Sequence, residues 1–250
     1  LVPAVAAKEA ISFFNLIKIG NIFYKKSSDI PYSGQVKGSQ NGRLVKGRIN
    51  GIWITYFKNG DLSRKVNYKD GKLDGLAEFY HKNGRLLKEG NYQFGKKVGL
   101  WITYFKNGQI SYKASYKEDM EDGPFDSYSS EDGRVLWKGY YKNGKRDGIW
   151  KYFYKNGKIE ISDNYRQGKK DGPWEYYYPS GNLHSKGNYI NGKKDGQMEW
   201  YYRNGKLKAR GSFKNGRRGG GLWEAYDMKG NLNSKGYYKN DKKDGPWEIY

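Results

Sequence analysis

Residues 141–159 read YKNGKRDGIWKYFYKNGKI, and this stretch decides the fold. The aromatic, strand-prone segment at residues 150–154 is followed by Asn156-Gly157, a signal for a tight hairpin turn. The preceding segment NGKRDG ends in Asp-Gly, which is a second turn signal. The order strand, turn, strand, turn therefore predicts one β-hairpin per unit.

The same pattern recurs every 24 or 25 residues through most of the chain. One apolar column, with aromatic residues at seven of its nine positions, keeps its phase for almost 200 residues, as a repeat architecture does. A tyrosine or phenylalanine follows three positions after each member, and a second aromatic column, from Tyr68 to Tyr238, lies on the returning strand. The first column consists of Trp53, Ala77, Trp101, Phe125, Trp150, Trp174, Met198, Trp223 and Trp247.

The repeats predict an all-β fold of stacked antiparallel hairpins. A single hairpin cannot bury enough apolar surface to be stable alone, so each one must pack edge to edge against the next. With strands about 4.8 Å apart and two strands per repeat, about nine repeats predict an elongated single-sheet solenoid. We assign the repeat domain to residues 32–250, beginning with a shortened copy at residues 32–47, and find no helical periodicity there.

The sequence leaves open which face of the sheet is buried. The first aromatic column and the residues three positions later have opposite parity on a regular strand. Either both faces of the sheet carry aromatic residues, or a bulge reverses the parity. We interpret the aromatic columns mainly as core, because stacked repeats need large side chains to form a continuous stripe, and sugar stacking is the less favoured alternative.

Composition excludes several kinds of functional site. The 250 residues include no cysteine and only two histidines, which rules out disulfides, cysteine nucleophiles and multi-histidine metal sites. Glu175, Glu199 and Glu224 recur at whole-repeat spacing and do not form an acid–base pair along the sequence. We therefore predict a non-enzymatic protein without catalytic residues, bound metal or cofactor.

Basic doublets mark six of the eight long turns in a chain whose net charge is +21. Their shared phase places them along one margin of the sheet at intervals of roughly 10 Å. This pattern is typical of a stripe that binds a polyanion or an acidic partner. The alternative is that lysines solvate the turns and discourage edge aggregation. The candidate binding residues are Lys96, Lys97, Lys145, Arg146, Lys169, Lys170, Lys193, Lys194, Arg217, Arg218, Lys242 and Lys243.

Residues 1–31 differ in character from the repeats. Ala4-Val5-Ala6 fits a signal-peptidase site. Either the segment is the remnant of a leader, which predicts export to the periplasm, the cell surface or the medium, or the match is accidental and the protein is cytoplasmic. We expect residues 7–18 to form a short helical cap on the first hairpin. The outer edge of residues 247–250 is either frayed or pairs with another molecule, which includes self-association.

The run at residues 141–159 resembles the MORN repeat in its bacterial variant form, as found in YwqK-type antitoxins and exported 24-residue-repeat proteins. The similarity covers about residues 32–250. It implies a hairpin solenoid that serves as a binding platform for proteins or sometimes acidic lipids. We therefore expect a protein partner, in adhesion, assembly or toxin neutralisation. The alternative is a glycan, acidic polysaccharide, lipid or other polyanion bound by the basic turns, and specific nucleic-acid binding is not expected because no established motif is present.

Overall fold

The computed structural model describes residues 9–250, so the Ala4-Val5-Ala6 motif lies outside the described residues. The chain divides into two compact units: unit 1 ends at Met120 and unit 2 spans Glu121–Tyr250. Residues 9–250 contain one 3-10 helix, Phe13–Asn15, and no α-helix, and therefore no helix that could span a membrane.

The two units are made of β-strands almost throughout. In unit 1 the strands are β1 (Ile11–Ser12), β2 (Leu16–Ile19), β3 (Ile22–Lys25), β4 (Gly34–Lys37), β5 (Gln40–Val45), β6 (Arg48–Ile49), β7 (Gly51–Tyr56), β8 (Leu62–Lys69), β9 (Lys72–Tyr80), β10 (Leu86–Gln93), β11 (Lys96–Tyr104) and β12 (Ile110–Lys117). From the start of unit 2 they are β13 (Met120–Tyr128), β14 (Val135–Lys142), β15 (Lys145–Phe153), β16 (Ile159–Arg166), β17 (Lys169–Tyr177), β18 (Leu183–Ile190), β19 (Lys193–Lys194), β20 (Gly196–Tyr201), β21 (Leu207–Lys214), β22 (Arg217–Arg218), β23 (Leu222–Tyr226), β24 (Leu232–Lys239) and β25 (Lys242–Ile249).

Each repeat is an antiparallel hairpin whose turns follow from its glycines. β15 pairs antiparallel with β16, and the turn between them closes where the Tyr154 N–H donates to the carbonyl oxygen of Lys158 at 2.9 Å. The turn before β15 has Asn143 at φ 49° and Gly144 at φ 72°. A two-residue turn with both residues left-handed matches the twist of the flanking strands. The prediction of an all-β fold of stacked hairpins is confirmed within each unit.

Both faces of the sheet carry aromatic residues, which settles the alternative that the sequence leaves open. The ring of Trp174 lies 4.7 Å from the ring of Tyr176, two positions further along β17. The hydroxyl of Tyr177 instead donates to the carboxylate of Glu175 at 2.5 Å, on the other side of the strand. The first column, from Trp53 to Trp247, is mostly tryptophan, and we call it the tryptophan column. We call the side of the sheet that carries it the aromatic face, and the other side the opposite face.

A glycine on the preceding strand makes room for the indole in most repeats. An ideal Cβ at Gly90 would lie 2.2 Å from the ring of Trp101, and one at Gly139 would lie 2.3 Å from the ring of Trp150. These two indoles are 2% and 0% exposed, and their N–H groups donate to carbonyl oxygens of the preceding strand at 3.2 and 3.1 Å. Close packing of this kind leaves no space for any side chain at the glycine.

Asp163 occupies the glycine position in one repeat, and the packing changes around it. Asp163 lies opposite Trp174 and is 2% exposed. The indole of Trp174 therefore lies against Gly187 of the following strand, where an ideal Cβ would be 2.9 Å from it. Met198, the next member of the column, approaches the same glycine, with 2.8 Å to that Cβ. Methionine is smaller and more adaptable than tryptophan, so Trp174 and Met198 share one space.

The described part of the N-terminal segment, from residue 9 onward, forms three short strands and one 3-10 turn, so the predicted helical cap is wrong there. β1 pairs in parallel with β4, with Ile11 opposite Val36, and β2 and β3 form a hairpin of their own. Leu16 and Phe23 are each 8% exposed, and Phe23 stacks on Trp53 with ring centres 6.3 Å apart. The density of isoleucine and phenylalanine favours strands over a helix. The segment still covers the first repeats, while the domain boundary after residue 31 stays a prediction.

Candidate binding surfaces

The basic doublets stand at the first two positions of the strands that follow the long turns. Lys145 and Arg146 begin β15, and the other doublets begin β11, β17, β19, β22 and β25. Successive side chains of a strand point to opposite sides, so the two members of a doublet are separated. We call Lys96, Lys145, Lys169, Lys193, Arg217 and Lys242 the first cations; all six are exposed. We call Lys97, Arg146, Lys170, Lys194, Arg218 and Lys243 the second cations.

The second cations pack on the rings of the aromatic face. The ammonium of Lys97 lies 4.8 Å from the centre of the Trp101 ring, and the guanidinium carbon of Arg146 lies 4.3 Å from that of Trp150. Such contacts stabilise by about 0.5–1 kcal/mol at exposed sites and by about 2 kcal/mol when desolvated. The second cations therefore stabilise the fold. The remaining contacts join Lys170 to Tyr189, Lys194 to Trp174, Arg218 to Trp223 and Lys243 to Trp247, at 5.3, 5.8, 5.4 and 4.4 Å.

Lys170 is the second cation that neutralises a buried carboxylate. Its ammonium lies 2.7 Å from Asp163 and 3.3 Å from the hydroxyl of Tyr176. Burial lowers the pKa of Lys170, but the hydrogen bond and attraction to Asp163 outweigh that effect and hold the pKa above its ordinary value. The Oδ1 atom of Asp163 is buried and accepts no hydrogen bond from the described residues. Loss of either partner would leave a buried charge uncompensated.

The first cations have different surroundings in the two units. In unit 1, the ammonium of Lys96 lies 3.1 Å from Glu118, across one repeat. In unit 2, no first cation forms an ion pair with any residue of the described range. These exposed and unpaired side chains are Lys145, Lys169, Lys193, Arg217 and Lys242.

The first left-handed residue of each long turn, which stands two positions before the following strand, also differs between the units. In unit 2 this residue is an amide in every turn, and asparagine tolerates positive φ well. In unit 1 the position holds four unlike side chains, one of them Phe94, which is 70% exposed at φ 51°. The unit 1 residues are Lys46, Asp70, Phe94 and Glu118, and the unit 2 residues are Asn143, Gln167, Asn191, Asn215 and Asn240.

The opposite face carries an exposed aliphatic row at one-repeat spacing. In unit 1 the row consists of Ile52, Leu76 and Leu100, each directly before a member of the tryptophan column. These side chains are 49%, 42% and 51% exposed. In unit 2 the same position holds an exposed aliphatic residue at Ile149 and Leu222, three repeats apart. Exposed aliphatic side chains in a regular array mark an interaction surface more often than isolated ones do.

Ion pairs run beside the aliphatic row on the opposite face of unit 2. Lys186 lies 2.9 Å from Glu199, Lys235 lies 3.0 Å from Glu248, and Arg210 binds Glu224. Each glutamate also accepts a hydrogen bond from a tyrosine hydroxyl two positions on. The hydrogen bond from Tyr201 and the nearby Lys186 hold the pKa of Glu199 below its usual value, against a smaller opposing effect of burial. This part of the opposite face is therefore balanced in charge. The edge of the sheet formed by the long turns, which we call the turn margin, is not.

The repeated segments match the family model described as "MORN repeat variant". The matched ranges together span just over half of the chain: residues 49–70, 73–93, 97–118, 146–167, 170–191 and 194–215. The chain belongs to the MORN repeat variant family. No curated protein matches it. MORN repeats are typically non-catalytic scaffolds.

The two histidines of this MORN repeat variant have structural surroundings. Nε2 of His81 lies 3.2 Å from the carbonyl oxygen of Tyr104, one repeat away. The hydroxyl of Tyr154 makes the equivalent link to Tyr177 at 2.6 Å, so His81 contributes to the stacking of repeats. His184 packs edge-on against Tyr178. Within residues 9–250, no group of three or more acidic, histidine or cysteine residues could hold a metal ion.

Sequence reasoning missed two features of this MORN repeat variant. The aliphatic row can be read in the sequence as an apolar residue directly before Trp53, Ala77 and Trp101. It does not stand out there, because most of the neighbouring strand residues are apolar as well. The glycine position opposite the indoles was visible as Gly90 or Gly139, eleven residues before the tryptophan. The tryptophan column itself is core, since Trp53, Trp101 and Trp150 are at most 2% exposed, and sugar stacking on these three rings is therefore not supported.

Proposed function

We propose that this MORN repeat variant is a non-enzymatic scaffold that binds another protein through the opposite face of its sheet. The observation that carries the proposal is the exposed aliphatic row, represented in unit 1 by Ile52, Leu76 and Leu100. Each side chain is already about half buried, so burial of the rest on a partner would contribute about 1 kcal/mol, roughly half the value for a fully exposed side chain. Three of them in regular array supply the apolar centre that a specific protein interface needs.

The charge pattern beside the row favours a protein over a polyanion at this face. In unit 1, Lys65 lies 3.3 Å from Glu78 beside the row, and in unit 2 the pairs Lys186–Glu199 and Lys235–Glu248 alternate in sign in the same way, so the face has little net attraction for a uniformly charged polymer. A protein surface with its own mixed charges can complement such a pattern. Polar pairs at the border and aliphatic side chains in the centre are the usual arrangement of an interface.

The test is a comparison of two variants with a purified partner, first identified by affinity capture on the intact chain. The double variant Leu76→Glu/Leu100→Glu should weaken binding at least about tenfold, because it places charges in the apolar centre of the interface. The matched control Lys145→Glu, on the turn margin, should change the affinity less than about twofold. Titration calorimetry measures both, and a loss confined to the Lys145→Glu variant would contradict the proposal.

The cellular location of this binding and its biological role are also proposals. Ala4-Val5-Ala6 supports export, which would place the scaffold in adhesion, assembly or toxin neutralisation outside the cytoplasm. Fractionation of bacterial cells that express the complete gene tests this. A protein recovered only from the cytoplasm would contradict export. Rescue of growth when the chain is co-expressed with a toxin would select neutralisation among the three roles.

A second candidate function is the binding of a polyanion or glycan at the turn margin of unit 2. The observation that favours it is the set of exposed first cations without an ion pair, such as Lys169 and Lys193. Binding of a polyanion releases counterions, so the logarithm of the affinity should fall linearly with the logarithm of the salt concentration. Affinity of a sulfated polysaccharide that does not change with salt would contradict this candidate.

A further inference from the structure

A small cleft on the turn margin of unit 2 is surrounded by three cations. Its volume is about 390 Å³. Lys142 and Lys145 are cross-strand partners at one turn, and Arg166 ends the strand before the next turn. The lining residues are Lys142, Asn143, Lys145, Asp147, Arg166 and Gln167.

The positive charge in this cleft is not balanced by the protein. Lys142, Lys145 and Arg166 form no ion pair with any other residue in the range 9–250. Asp147 is the one acidic residue of the lining, and its carboxylate accepts the N–H of Gln167 at 3.4 Å. Like charges directly opposite each other on neighbouring strands are destabilising. The lining has three cations and one carboxylate, so its net charge is +2.

Equivalent positions at neighbouring turns lack this combination. At the next turn the place of Arg166 is taken by Ile190, which is 47% exposed. At the turn after that, Lys214 is paired with Asp195 at 3.6 Å. In unit 1, Lys96 is neutralised by Glu118. Three cations recur at the same positions only as Lys214, Arg217 and Lys239 among the turns of unit 2 that follow, and there Lys214 is held by Asp195.

We propose that the cleft binds one doubly charged tetrahedral oxyanion of the phosphate or sulfate class, either free or carried on a larger molecule. The guanidinium of Arg166 can donate two parallel hydrogen bonds to two oxygens of such a group. Lys142 and Lys145 act as mobile point charges that complete the neutralisation. This site is separate from the protein interface on the opposite face. A negative result for oxyanion binding would therefore not contradict the protein interface, and the reverse also holds.

The first experiment uses sodium sulfate as the probe, followed by amide NMR spectra of the full chain. Sodium chloride at matched ionic strength is the control. We expect a saturable one-to-one response centred on Asn143, Gly144, Gln167 and Gly168. A response that does not saturate, spreads evenly over the turns of unit 2, and is reproduced by sodium chloride would overturn the proposal.

Single substitutions then separate a specific site from general attraction. Lys145→Ala and Arg166→Ala should each weaken sulfate binding about tenfold, because each removes a charge-assisted hydrogen bond. The matched control Lys193→Ala, a first cation outside the cleft, should leave the affinity within about twofold. Asp147→Asn should strengthen binding, since it removes the opposing charge. Equal weakening by all three alanine variants would overturn the proposal.

Two further probes distinguish the source of the oxyanion. Inorganic phosphate represents the free ion, and a sulfated oligosaccharide represents a group on a larger molecule. If the oligosaccharide binds the same residues more tightly than sulfate does, the carried form is the ligand. If it binds no more tightly, the free ion is. Binding of both probes that survives Lys145→Ala/Arg166→Ala would overturn the site.

Discussion

Units 1 and 2 are built from the same hairpin, yet their turn margins have different chemistry. In unit 1 the first cation Lys96 is paired with Glu118, and the turn that leads into Lys96 carries an exposed phenylalanine, Phe94. In unit 2 the first cations are unpaired, and the first left-handed residue of each long turn is an amide, as at Asn143 and Gln167. The backbone requires only a residue that tolerates positive φ, so the side chains of the margin are free to diverge.

One repeat of unit 2 packs the aromatic face differently from the repeat of Trp101 in unit 1. In unit 1 the indole of Trp101 fills the space left by Gly90. In unit 2, Asp163 blocks the equivalent space, and Trp174 turns to the following strand. The change in packing caused by a core substitution is thus confined to two repeats, because each repeat contacts mainly its neighbours.

The largest expected effect is the loss of the cation beside Asp163. Lys170→Ala should destabilise the protein by about 3 kcal/mol, because it leaves a buried carboxylate without a counterion. The matched substitution in unit 1, Lys97→Ala, removes only the cation–π contacts with Trp101 and Tyr116 and should destabilise by about 1 kcal/mol. Urea unfolding monitored by circular dichroism measures both. Equal losses would show that Asp163 is not a buried charge.

A double-mutant cycle tests the altered packing in unit 2. Met198→Trp should destabilise by about 1–3 kcal/mol, because Trp174 already fills part of the space beside Gly187. In the background Asp163→Gly, Trp174 can return to the preceding strand, and the penalty of Met198→Trp should fall by about 1 kcal/mol or more. Additive effects in urea unfolding would contradict the shared space.

The turn margin of unit 1 can be brought closer to that of unit 2 by one substitution. Phe94→Asn should stabilise the protein by about 1 kcal/mol, because a bulky residue is unfavourable in the left-handed conformation and asparagine tolerates it. The control Gln167→Asn in unit 2 should change stability by less than about 0.5 kcal/mol. Thermal unfolding measures both, and a lower midpoint for Phe94→Asn would contradict the turn geometry.

Among the tyrosines with a raised pKa, one in each unit is held by a neighbouring glutamate and should lose its proton only at high pH. Burial, together with the hydrogen bond to Glu89, raises the pKa of Tyr104 to about 12. Burial and Glu175 raise the pKa of Tyr177 to about 12 in the same way. The ordinary pKa is about 10, so the stability these phenols contribute is complete below pH 10 and is lost as the pH rises toward 12.

Ultraviolet absorbance follows this ionisation directly. The variants Glu89→Gln and Glu175→Gln should each shift part of the late absorbance change to lower pH, since the pKa of the neighbouring tyrosine falls when the carboxylate is removed. Equal behaviour in the two units would show that the tyrosine–glutamate pair is common to the repeat. An unchanged titration curve in both variants would contradict the role of the carboxylates.

The sequence predicts the hairpins well and the chemistry of the surfaces poorly. Period, turn type and strand order follow from glycine and aromatic residues, because local turn preferences and stacking act alike in every repeat. The N-terminal helix was wrong because the apolar residues around Ile11 and Phe14 fit a strand as well as a helix, and pairing with β4 decides between them. The different roles within each doublet depend also on contacts with neighbouring strands, as between Arg146 and Tyr165 of β16, which spacing along the chain does not reveal.

The most direct test of the division between first and second cations is the stability of one matched pair, Lys145→Ala and Arg146→Ala. Lys145 is exposed and unpaired, so its loss should change the free energy of unfolding by less than about 0.5 kcal/mol. Arg146 covers Trp150 and donates to Tyr152 at 2.8 Å, so its loss should destabilise by about 1–2 kcal/mol. Urea unfolding of both variants under one set of conditions decides the matter. Equal effects, or a larger loss for Lys145→Ala, would contradict the assignment of the aromatic face to stability and of the turn margin to binding.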